Sequence, residues 1–126
     1  MRSPAPLRRW LHGWPGLRSS PRPIHVRCQR GHTPWAMFAR LSHEHVPWER
    51  VAVFQVDERV APDGDPDRNL THLRESLGAA PAEVIAMPVN DADLDAAAAA
   101  YGPSLPERFD LVHLGLGPDP IAVPAP

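Results

Sequence analysis

The chain has 126 residues, 43% of them hydrophobic and 22% charged, which describes at most one small domain with enough apolar side chains for a core. No run approaches the ~20 apolar residues of a membrane span, so no membrane partner is expected. The single cysteine, Cys28, excludes an internal disulfide and fits a reducing, cytoplasmic compartment. The net charge of -2 hides an uneven layout. Arg2, Arg8, Arg9, Arg18, Arg22, Arg27 and Arg30 fall in an opening stretch without acids, and all the acids follow it.

Residues 1–23 read as an irregular Arg/Pro-rich head, because Pro4, Pro6, Pro15, Pro21 and Pro23 interrupt any helix. The acid-free composition is that of an organelle transit peptide, but the prolines oppose the amphipathic helix such peptides form. Its positive charge does not amount to a nucleic-acid site, and no nucleic-acid partner is expected.

From Ile24 onward short apolar runs alternate with helical windows, which predicts an α/β fold with a Rossmann-like parallel sheet. Ile24–Cys28 is a poor strand, since His25 and Arg27 are mixed into it. Thr33 is placed as N-cap with Pro34 at the first helical position, and the helix Trp35–Glu44 follows, its apolar face on Trp35, Phe38 and Leu41. Val51–Val56 is the clearest strand, almost continuously apolar as in a sheet covered on both faces. A polar loop over 57–67 leads to a helix Arg68–Leu77 closed by Gly78. Val84–Met87 is a short strand. Asp91 or Asp93 caps the helix Leu94–Tyr101, and Phe109–Leu114 is the last strand. Gly115–Asp119 is a tight turn, and 120–126 an irregular tail. The domain is therefore placed at 24–119.

Three loops lie at the carboxyl ends of strands, where open α/β sheets bind ligands. Gly31-His-Thr-Pro34 runs into a helix N-terminus, whose N–H groups and dipole suit an anion; an ordinary capped helix looks the same. Asp57-Glu-Arg59 leaves a buried strand as charges. It reads either as a solvated loop or as a site in which Arg59 holds a phosphate and Asp57 orients a hydroxyl or water. Leu114-Gly-Leu-Gly-Pro-Asp119 lacks the third glycine and following helix of a dinucleotide fingerprint. The seven histidines show no ligand spacing, so no metal is expected.

In order, "GHTPWAMFARL", "VPWERVAVFQVDERVAPDGDPDRNL", "MPV" and "FDLVHLGLGPD" resemble the 6-phosphogluconolactonase family over residues 31–119. The resemblance implies the N-terminal half of a Rossmann-like domain that hydrolyses 6-phosphoglucono-1,5-lactone to 6-phosphogluconate in the pentose phosphate pathway, without a cofactor. It implies a sugar-phosphate ligand and substrate-binding roles for Gly31, Thr33, Asp57, Arg59, Asn69, Gly115, Gly117 and Asp119. The oligomeric state is left open. Two departures stand out. After Asp119 the family has Gly-His, and this chain has Pro120 and Ile121, so no catalytic histidine is expected and the chain by itself is read as inactive. The family's Ser-Gly-Gly is Gln29-Arg30-Gly31. Two alternatives remain: a sugar-phosphate isomerase of the same superfamily, or a non-catalytic sugar-phosphate-binding fragment.

Overall fold

Val51–Gln55 is buried at all five positions and forms β2, the strand its unbroken apolar run predicts. Around it the computed structural model describes residues 22–115. Most of the expected head, the turn bearing Gly117 and Asp119, and the tail lie outside the described residues. In chain order the elements are β1 (Ile24–Cys28), α1 (His32–Leu41), a 3-10 turn (Trp48–Arg50), β2, α2 (Asn69–Leu77), β3 (Glu83–Ile85), α3 (Leu94–Tyr101), a second 3-10 turn (Gly102–Ser104) and β4 (Leu111–His113). The four strands make one sheet in the order β3-β2-β1-β4, with every neighbouring pair parallel. This is the Rossmann-like α/β architecture expected.

The run read as a poor strand, Ile24–Cys28, is in fact a central one. Strict alternation accounts for this. Ile24, Val26 and Cys28 are buried, and His25 and Arg27 are half-buried between them. The first three lie in register with Val51, Val53 and Gln55. They join Phe38 of α1 and Leu73 and Leu77 of α2 in the main core, where Val53 is wholly buried. Burying a side chain of that size stabilises by about 1.5–3 kcal/mol. On the opposite face aromatic rings pack together. Phe54 packs edge-on against Phe109 at 5.2 Å and against His25 at 6.0 Å. The Arg27 guanidinium sits 5.7 Å from the Phe109 ring. The negative ring face of Phe109 favours the Arg27 cation, and His25 packs against Phe54.

The helices begin where local chemistry permits, and two starts differ from expectation. α1 begins at His32, so Thr33 is already inside the helix and Gly31 is the N-cap, with no side-chain cap bond. Gly31 adopts φ 143°, a conformation open to glycine, and this turn lets the chain enter the helix before Thr33. α2 begins at Asn69 with Arg68 at the N-cap position. α3 has the predicted bounds, and of the two candidate caps Asp93 is used: its Oδ1 accepts the Ala96 N–H at 3.0 Å.

Candidate functional site

The connection from β1 through β2 to β3 steps toward one edge of the sheet, and β4 then returns to the far side of β1. The crevice beyond the carboxyl ends of β1 and β4 is therefore the topological switch point, the usual ligand position in such sheets. The loops after β1, β2 and β4 all start at this edge. They are tied together by hydrogen bonds: the Val56 N–H donates to the Cys28 carbonyl at 3.0 Å, and the Gln29 N–H to the His113 carbonyl at 3.1 Å.

Gln29, regarded from sequence only as a departure from a serine, spans the crevice. Its side-chain Oε1 accepts the Gly115 N–H at 2.8 Å. A residue at the end of β1 thus holds the first glycine of the β4 loop. Gly31 follows two residues later. A Cβ there would meet Pro34 Cδ at 3.6 Å, an ordinary contact, so backbone conformation and not space is what requires glycine. Arg30 and Thr33 are exposed. Because no side chain caps α1, its first-turn N–H groups remain open to an anion.

The β2 loop is built on Glu58, the middle member of Asp57-Glu-Arg59 and the one not assigned a binding role from sequence. Its side chain is fully buried. One oxygen accepts the N–H of Arg59 and of Asn69, each at 2.7 Å. The other accepts the Leu70 N–H at 3.0 Å and Gln55 Nε2 at 2.9 Å. Glu58 is thereby the cap of α2, supplied from outside the helix and placed where the dipole favours a negative charge. Arg68 Nε lies 3.0 Å from the same carboxylate, a close ionic contact without hydrogen-bond alignment. The rest of the Arg68 guanidinium fastens the loop, with Nη1 donating to the Ala61 carbonyl and to Asp63, each at 2.9 Å. Burial pushes the Glu58 carboxyl up. The hydrogen bonds from Gln55, Arg59 and Leu70, with the Arg68 guanidinium beside it, outweigh that and hold it down at about 2. No local sequence signal pointed to Glu58: Asp67, an ordinary capping residue, directly precedes the helix expected from Arg68.

This network sorts the predicted residues of the loop. Asp57 and Arg59 are exposed, held on a rigid base. Asn69 is buried, and its Nδ2 donates to the Asp57 carbonyl at 3.1 Å. It points into the loop and fixes the backbone that carries Asp57. Gly31 lies in the loop after β1, and Gly115 in the loop after β4 is tied to the end of β1 by Gln29. Gly117 and Asp119 lie outside the described residues.

Cys28, at the end of β1, has its thiol pushed up to about 12 by burial, which leaves no thiolate for chemistry at neutral pH. Among the described residues no three His, Cys, Asp or Glu side chains gather as a metal site requires, and no helix is long and apolar enough to cross a membrane. A shallow cavity of about 220 Å³ opens between α2 and the β3 loop, lined by Asp63, Arg68, Arg74, Met87 and Asn90. It lies away from the switch point, and carboxylates and guanidinium groups share its lining.

Residues 19–120 match the family of glucosamine-6-phosphate isomerases/6-phosphogluconolactonase. The chain belongs to this family. A 6-phosphogluconolactonase of Streptomyces coelicolor is 37% identical over 103 residues, 67% of this chain and 40% of that protein. One from Treponema pallidum is 34% identical over 105 residues, 71% of this chain and 43% of that protein. The crystal structure of the Thermotoga maritima 6-phosphogluconolactonase superposes with a TM-score of 0.77 at 26% identity, covering 90% of this chain and 55% of that one. The chain thus spans about half the length, or less, of these family members. The match begins at residue 19, ahead of β1, so the family likeness takes in the central strand as well as the stretch from Gly31.

Proposed function

We propose that this chain forms the substrate-lining part of a 6-phosphogluconolactonase site and binds a sugar phosphate at the β1/β4 switch point. The reading is supported by three features that leave the carboxyl edge of the sheet: an uncapped α1 N-terminus, the exposed Asp57–Arg59 pair on its Glu58 base, and the Gly115 loop. The phosphate is held by the first-turn N–H groups after Gly31 and by the Thr33 hydroxyl. Arg59 supplies a cationic fork, and Asp57 orients a sugar hydroxyl. Asn69 acts on substrate only through the Asp57 backbone. Gly115, and by the same reading Gly117 and Asp119, form the loop on the β4 side. No cofactor is required. A reducing cytoplasm suits the single buried Cys28.

Lactone hydrolysis adds water oxygen to the ring carbonyl carbon and breaks the ring ester bond, whose oxygen takes the proton. A general base must accept a proton from the water. Ile121 occupies the position two residues beyond Asp119 where the family resemblance places a histidine, and this is the ground for assigning binding without turnover. The names of the curated relatives favour the lactone over a hexosamine phosphate.

Calorimetric titration with 6-phosphogluconate, alongside a rate panel of the 6-phospholactone and a hexosamine 6-phosphate, tests the reading. Expected are binding weakened at least about tenfold by Arg59→Ala and a lactone rate equal to the spontaneous one. Absence of binding would overturn the site, and turnover abolished by Arg59→Ala would overturn the inactivity.

A further inference from the structure

The cavity between α2 and the β3 loop takes no part in the switch-point site. Its volume of about 220 Å³ is below the roughly 300–1,000 Å³ of a site for a drug-sized ligand, so it suits a single sugar ring or a short polyol. Its walls are tied together across long stretches of chain. Asp63 Oδ1 accepts from Arg68 Nη1 at 2.9 Å and from Asn90 Nδ2 at 3.2 Å. The Met87 N–H donates to Gln55 Oε1 at 3.4 Å. The cavity therefore stands formed before any ligand arrives, and little order has to be created on binding.

Its lining leaves donors and acceptors unused side by side. Arg68 is only 2% exposed. Its Nε faces Glu58, and its Nη1 serves Ala61 and Asp63. Its Nη2 has no hydrogen-bond partner among the described residues and is not one of the atoms sealed from solvent. Arg74, one turn beyond Leu70 on α2, is exposed, as is Asp91. Among the described residues neither of these two side chains has an ion-pair or hydrogen-bond partner. Leu70, Met87 and Pro88 add apolar wall. Two arginines and two aspartates balance, so the cavity has no single sign of charge with which to draw in an ion. Donors beside acceptors on an apolar wall match a hydroxylated ring or chain, whose hydroxyls both donate and accept and whose C–H groups pack on the wall.

We infer that this cavity is a second ligand site, which takes an uncharged monosaccharide or polyol. Arg74 and the open Nη2 of Arg68 donate to its hydroxyls, and Asp63 and Asp91 accept from them. The inference stands apart from the reading of the switch point, whose binding residues it does not use.

The test is titration of the isotope-labelled full chain with D-glucose, D-glucitol, inorganic phosphate and glycine, followed by two-dimensional NMR. Glucose or glucitol is expected to shift the backbone amides of Met87, Asn90 and Asp91, with a dissociation constant on the order of 1 mM for so small a ligand. Arg74→Gln and Asp91→Asn alter exposed side chains outside the hydrogen-bond network. Each is expected to weaken binding at least about fivefold, with thermal unfolding unchanged. The inference is overturned by amides that stay still up to about 100 mM of both polyols, by shifts that survive both substitutions, or by shifts with phosphate or glycine in place of the polyols. Polyol shifts at these amides in a chain that binds no 6-phosphogluconate would leave this site standing and count against the switch-point reading alone.

Discussion

The carboxylate of Glu58 accepts the backbone N–H of Asn69 at 2.7 Å, eleven residues further along the chain, and so one acid both ends β2's loop and starts α2. The same side chain is shut off from solvent and faces the buried Arg68. Removing one member of such a pair strands the other. Glu58→Ala is expected to destabilise the fold by about 3–5 kcal/mol, with Glu58→Gln less severe because the amide retains one acceptor. Urea unfolding followed by circular dichroism measures both.

Acid should act through the same group. The Glu58 carboxyl is held at about 2, against an ordinary value of 4.5. A carboxyl depressed in the folded state contributes stability that is fully present above its unfolded value. That contribution is lost as pH falls from about 4.5 toward about 2. Stability measured across this window should drop in the native chain and drop less in Glu58→Gln. Parallel curves for the two would show that another group governs acid unfolding.

Gln29 bridges two loops with one side-chain acceptor, so its loss should be local. Gln29→Ala is expected to cost about 1 kcal/mol and to speed hydrogen exchange at the Gly115 amide. Amides of β2 should be unaffected. Unchanged exchange at Gly115 would mean that the bridge does not form in solution.

Arg27 packs against an aromatic ring at a cost. Its Nε is buried without a hydrogen-bond partner, a loss of about 1–3 kcal/mol, while its contact with the Phe109 ring returns about 0.5–1 kcal/mol. Its Nη2 donates to the Val56 carbonyl at a long 3.4 Å. Arg27→Met should therefore raise the melting temperature by a few degrees. A fall would show that the ring contact and the Val56 bond outweigh the orphaned group.

Gly31→Ala tests backbone conformation apart from crowding. The added methyl meets Pro34 Cδ at an unstrained 3.6 Å, but φ 143° is a glycine region. The expected cost is about 1–3 kcal/mol, felt in global stability and in 6-phosphogluconate affinity together. A neutral substitution would indicate that the loop relaxes to another turn.

Several elements were legible in the residues themselves. The continuous apolar run at Val51–Gln55, the alanine-rich helix Leu94–Tyr101 with its Asp93 cap, and the closure of α2 at Gly78 all follow from forces acting within a few residues. Family likeness was legible for the same reason, as short motifs in a fixed order. What the sequence did not disclose depends on partners far along the chain. Ile24–Cys28 alternates as a strand does, but that it could be a central one turned on Phe54 and Phe109, remote in sequence, which pack against His25 and Arg27. Asn69 is a scaffold residue because the loop folds its side chain onto Asp57. Gln29 and Gly115 meet across 86 positions only once β1 and β4 are neighbours. Burial and hydrogen bonding are properties of assembled surfaces, so tertiary structure alone decided which charges of Asp57-Glu-Arg59 face solvent and which one holds the loop.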